Sequence, residues 1–273
     1  MMSRMAVTNK AAIAKRAGSR PASFAETAAW LRRAVREEAS ARWGVSGGAA
    51  ELLFLVPAVG AVLFAAVGLL SAAELEGELF EFIVREDSVL EWAQVVGFLG
   101  GFVGGAALAA RAFRGGNGRV ALAYAVFAAA CFFVLGEEVS WGQRLLGFGT
   151  PESLKEINDQ DEVTLHNLGE VRVLMKLFLI SLGLAGAVLP WLLRMRGSRW
   201  ASLMPPLFTT STFLLIFGYH AARLIFFPHG FFGWEENFIV AKYSEWPETC
   251  LAYLTAGFAW LAWRRRPVDP GTL

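Results

Sequence analysis

The sequence predicts an all-α, polytopic membrane bundle of about six transmembrane helices, and three observations carry that prediction. Hydrophobic residues fill 55% of the 273 positions and charged residues only 18%, with a positive mean hydropathy, an oilier balance than a soluble domain of this length carries. The apolar residues gather in six stretches, near 52–73, 91–110, 119–136, 173–193, 203–227 and 247–263, each close to the about 20 residues that a bilayer core requires. The connections between them alternate between Gly-rich basic turns and longer acidic segments.

The N-terminal segment 1–50 reads as a basic cytoplasmic tail. It lacks the basic start, apolar stretch and cleavage site of a signal peptide, so it is expected to be retained. Within it Ser23-Phe24-Ala25-Glu26 fits a capping box, followed by Trp30, Leu31, Val35 and Trp43 among Arg32, Arg33, Arg36 and Arg42. That pattern suggests an amphipathic helix on the inner membrane surface. The transmembrane domain spans 51–266, a short tail follows at 267–273, and no long linker divides the chain.

Each span has its own signature. Pro57 is expected to kink the first. The second carries Ala93, Gly97, Gly101, Gly105 and Ala109 at four-residue spacing, a small-residue face that lets another helix approach, within the chain or in a homo-oligomer. The third ends at Glu137, 18 residues beyond Arg119 and so roughly 27 Å along a helix, at the outer edge of the hydrocarbon. Segment 137–170 is long for a helix connection and interleaves Leu, Ile and Phe with polar residues, which predicts a folded external cap. Pro205-Pro206 opens the fifth span, and Thr209, Thr210, Ser211 and Thr212 are expected to bond back to their own helix. Before the sixth, Trp234, Tyr243 and Trp246 read as interface anchors, while Glu248 suits a positive helix start.

Orientation follows from the basic residues, which cytoplasmic loops retain. Nine lie in the N-terminal tail and three each in the second-to-third connection, the fourth-to-fifth connection and the C-terminal end, so 18 of 25 share one side. Both termini are therefore expected in the cytoplasm of a bacterial inner membrane, with the acidic segments outside. A net charge of +1 without a basic patch argues against nucleic acid as a partner. Cys131 and Cys250 have neither metal-ligand nor disulfide spacing and read as small buried hydrophobes.

The densest polar run is Gly136-Glu137-Glu138-Val139-Ser140-Trp141-Gly142-Gln143-Arg144. If the helix continues through it, Glu137, Trp141 and Arg144 share a face. Partial desolvation suits Glu137 or Glu138 to proton transfer, because a charged pair bordering lipid needs a partner. Downstream lie Asn158, Gln160, Glu162, His166 and Asn167. All three histidines, His166, His220 and His229, fall on the predicted outer side. His166 and His220 with Glu138 would supply a divalent metal such as zinc with ligands from distant segments, since no His-x-x-x-His spacing occurs. The run from Gly136 to Arg144, with Asn158, Gln160, Glu162, His166 and Asn167, resembles a motif pair in uncharacterised bacterial polytopic membrane proteins. The resemblance covers about a tenth of the chain and implies no activity.

The helix middles are almost free of ionisable residues, Lys176 and Arg223 lying toward the outer ends, which argues against a secondary transporter. The expectation is a membrane-embedded enzyme, a hydrolase or transferase acting on a membrane lipid or lipid-linked substrate at the external face. Glu137, Glu138 and His166 would be catalytic, with Trp141, Gln143, Arg144, Arg223, Asn158 and Asn167 binding substrate. The alternative is a non-catalytic lipid-binding, transport or scaffold protein.

Overall fold

The computed structural model describes residues 23–72, 77–85, 88–155, 163–165, 168–228 and 238–265. Among these residues the structure is helical throughout, without a strand. The main helices are α1 (Phe24–Glu38), α2 (Gly47–Ala72), α3 (Gly77–Val84), α4 (Val89–Arg114), α5 (Gly118–Glu138), α6 (Gly169–Met195), α7 (Thr210–Phe226), α8 (Phe238–Lys242) and α9 (Glu245–Arg264).

Four stretches are long and apolar enough to cross a membrane, and they contain α2, α4, α5 and most of α6. Their outward faces are apolar. Leu52, Val59, Val62, Leu63 and Leu69 on α2 are all exposed, as are Leu122 and Val126 on α5 and Leu174 and Leu184 on α6. Such a continuous oily surface is costly in water and costless in hydrocarbon. Of the remaining long helices, α7 has 17 residues and carries His220 and Arg223, and α9 opens on Glu245 and Glu248.

Packing divides the bundle in two. On one side α4 lies between α5 and α9; on the other α6 packs on α7, and α2 and α9 join α7 to close the structure. The small-residue face of α4 is filled from within the chain. A Cβ on Gly97 would come 2.7 Å from that of Ala252 on α9, and one on Gly101 would come 2.7 Å from Thr255 Oγ1 and 2.9 Å from Cys131 Sγ. At Gly105 it would meet Phe127 at 2.8 Å. Self-association through Gly97, Gly101 and Gly105 would have to open this packing.

At the end where the basic connections gather, α1 is locked to the bundle. Ser23 caps it, accepting from the Glu26 amide at 3.2 Å. The helix then widens over Ala39–Trp43 and stops at Gly44, whose φ of 64° favours glycine. This turn brings Glu38 against Arg194 at 2.8 Å, and the carboxylate also accepts from Trp43 Nε1 and the Leu207 amide. Arg194 donates further to the carbonyls of Met204 and Pro205. Removing one partner of so buried a pair costs about 3–5 kcal/mol. Arg265 lies over the Trp43 ring and donates to the Ser202 carbonyl. Burial pushes its guanidinium down to about 10, so it stays charged at neutral pH. The amphipathic α1 and the turn after it thus insert Val35 and Ala39 into a core with Ala50, Leu207 and Phe208, while the Trp30 ring lies tilted against Trp191.

Candidate functional site

The polar run at the end of α5 folds into a left-handed turn rather than a continued helix. The helix stops at Glu138, and Ser140, Trp141 and Gly142 follow with φ of 48°, 52° and 86°. Two consecutive non-glycine residues in that region store backbone strain, of order 1–3 kcal/mol each, that the surroundings must over-determine. The contacts that do so are visible. The turn lays the Trp141 ring back on α5, edge-on to Phe132 and Phe133, in the space that Gly136 leaves; a Cβ there would meet the indole at 2.9 Å. Glu137 accepts from Trp141 Nε1 at 2.6 Å with one oxygen and from the Leu165 amide at 2.8 Å with the other. Gln143 donates to Thr150 Oγ1 at 2.8 Å and accepts from the Val163 amide at 2.7 Å. The helix does not continue through the run, yet Glu137 and Trp141 still meet, as an unbroken helix would also have brought them together. The run is a clamp that pins the described parts of segment 137–170 to the end of α5.

Beneath this clamp lies a cavity of about 890 Å³ between α5 and α6, with α7 and α9 closing it behind. Its two ends differ. At the end nearest the clamp the carboxylates of Glu91, Glu137, Glu138, Glu245 and Glu248 line it from α4, α5 and α9. Arg172 and Lys176 of α6, with His220 and Arg223 of α7, line it from the other side. Further in, the walls become apolar through Val134, Leu179, Leu182, Leu251 and Leu254, down to Tyr124, Leu203 and Phe258 near the opposite end. The polar end has its own scaffold. Gln94, fully buried within α4, donates to Glu245 Oε2 at 3.0 Å and lies 3.3 Å from Thr249 Oγ1. Tyr219 reaches the carbonyls of Val240 and Ala241, and Arg223 lies over its ring, so α7 holds α8 in place. His220 is 2% exposed, and among the described residues neither ring nitrogen has a hydrogen-bond partner. That is an uncommon state for a buried imidazole, whose nitrogens ordinarily bond.

The residues expected from the sequence separate into groups. Glu137, Glu138, His220 and Arg223 come together on the cavity. Trp141 and Gln143 belong to the clamp above it, with protein partners of their own. Asn158, His166 and Asn167 lie outside the described residues, and only the backbone of Arg144 is described. Glu138 and His220 share the cavity wall, but among the described residues no three His, Cys, Asp or Glu side chains group as metal ligands. The anchor reading of two aromatics is corrected. Tyr243 and Trp246 turn inward and donate to the carbonyls of Ala61 and Pro57 on α2, where Gly60 leaves room for the indole.

Several site residues were not legible as such. Glu248 read as a helix start, Gln94 is an uncharged residue beside the small-residue face, and Glu91 and Arg172 sit at span edges where charge is ordinary. Lys176 and Arg223 did carry a signal, as charges inside apolar spans.

Fold and site together define a class: a helical membrane protein whose bundle encloses an amphiphilic cavity, charged at one end and apolar along its length. No family model, curated protein or solved structure matches the chain.

Proposed function

We propose that this protein is a membrane-embedded enzyme that acts on a lipid or lipid-linked substrate by hydrolysis or transfer at the external face of the bacterial inner membrane. The cavity carries the proposal, because an amphiphile with its head among the charged side chains and its hydrocarbon against the leucines would match both ends. In this reading α7 and α9 join the four apolar stretches as fifth and sixth spans, with both termini cytoplasmic. The meeting of the basic ends, Arg194 with Glu38 and Arg265 over Trp43, supports that topology.

Within the site Glu138 is the preferred general base, half-buried on the cavity wall, while both oxygens of Glu137 hold the clamp. It would take the proton of the attacking water or acceptor hydroxyl, and an acid would return one to the leaving group. His166 and His220 would exchange protons or, with Glu138, hold a divalent metal such as zinc. Arg223 and Arg144 would bind an anionic head group, with Asn158 and Asn167 completing its polar surroundings.

The test is turnover by the purified protein in vesicles of bacterial lipid extract, followed by mass spectrometry, together with analysis of bound metal. Glu138→Gln and His166→Ala should abolish turnover at unchanged abundance and membrane insertion; full activity in both would remove the enzyme reading. One observation favours the non-catalytic alternative: Glu137, Trp141 and Gln143 are engaged in holding the external segment. Lipid that co-purifies without metal and without turnover would support it.

A further inference from the structure

We propose that the gap between α5 and α6 is a lateral portal, through which a lipid's hydrocarbon chain enters the cavity from the bilayer rather than from water. The inference rests on the lipid reading above and adds the route and the chain-binding subsite. Helices α5 and α6 are neighbours across the cavity but scarcely touch, because α5 packs on α4 and α6 packs on α7. Ala130 on α5 and Phe178 on α6 both line the cavity and are both exposed, Phe178 at 56%. One helical turn from each stands a side chain that faces out of the bundle and does not line the cavity, Val126 on α5 and Leu174 on α6. The cavity wall therefore meets the outer apolar surface at Ala130 and Phe178. Water-borne solutes have no reason to use such an opening, whereas a chain already in hydrocarbon passes through it without desolvation.

The chain has a defined place to go. Val134, Leu179 and Leu251 line the cavity behind the portal, and Glu138 stands one turn beyond Val134 on α5, so a lipid in the gap would set its head group beside Glu138 and Arg223.

The experiment uses the full chain in nanodiscs of phosphatidylethanolamine and phosphatidylglycerol, doped with a phosphatidylglycerol that carries a photoactivatable diazirine midway along one acyl chain. After irradiation the labelled positions are mapped by mass spectrometry, and turnover is measured in the same discs for the wild type, Glu138→Gln and Ala130→Trp. Labelling is expected at Val134, Leu179 and Leu251 as well as at the outward Val126 and Leu174. In Ala130→Trp the inner labelling should be lost and the outer retained. If that variant fails to accumulate, Phe178→Ala is read instead, and its wider gap should raise inner labelling. An unlabelled interior in the wild type, or inner labelling indifferent to both substitutions, overturns the portal. Turnover that persists without inner labelling removes the portal and leaves the enzyme; inner labelling without turnover does the reverse.

Discussion

The turn after α5 shows how single residues can be bound together by geometry. Gly136 is small because the Trp141 ring lies on it, and Trp141 lies there because Ser140 and Trp141 take left-handed backbone angles. Glu137 then joins that ring to the Leu165 amide. Gly136→Ala should therefore destabilise the protein by about 1–3 kcal/mol through overpacking. Trp141→Ala in the same chain removes the obstacle, so the double variant should be no less stable than Trp141→Ala alone. Thermal unfolding of the three variants in nanodiscs measures this coupling, and simple addition of the two single effects would contradict the contact. The same geometry assigns different work to adjacent carboxylates. Glu137 is committed to the clamp, and Glu138 faces the cavity.

Among the elements, α4 is the one around which its neighbours are built. Its glycines admit α9 on one side and α5 on the other at backbone-limited distances, where a methyl group would already intrude. Gly101→Leu is expected to lower abundance and thermal stability far more than Leu108→Ala. Leu108 packs with Trp43, Phe258 and Ala259, and truncating it leaves a cavity that neighbours can partly fill; a leucine at Gly101 has Thr255 and Cys131 in its way. Expression and unfolding of both variants decide the matter, and a tolerated Gly101→Leu would mean that α4 and α9 do not approach as described. Helix α1 shows the opposite strategy. It is joined to the bundle by the Glu38 to Arg194 pair and the Trp30 to Trp191 contact, so polar and aromatic links do there what small residues do inside.

At the scale of the molecule, charge divides the bundle by its ends. Reporters fused at the N-terminus, near Gly115, near Gly197 and at the C-terminus should all read cytoplasmic, and those near Glu78, Pro151 and Gly233 external. The prediction rests on 18 of 25 basic residues lying on one side, and it is independent of the site's chemistry. A cytoplasmic reading at Pro151 would reverse the orientation and place the charged end of the cavity inside the cell.

The helical class and the approximate extent of most long helices were legible in the sequence, because hydrophobic length and composition are local properties, while α7 begins at Thr210 rather than near 203. Val89–Arg114 encloses the expected 91–110, and Gly169–Met195 encloses 173–193. The polar run from Gly136 was legible as a place of interest for a similar reason, since charge at the edge of an apolar span is costly wherever the chain goes. Its internal roles were not, because they depend on backbone angles at Ser140 and Trp141 that depart from the helix preceding them. The cavity itself was decided only by tertiary structure. Gln94 meets Glu245 across 151 positions of sequence, and Glu138 shares a wall with His220 only because α5 and α6 are held apart by their packing on α4 and α7. Helix periodicity marks which face of each helix is apolar; which faces meet, and where they leave space, depends on how all the helices pack together.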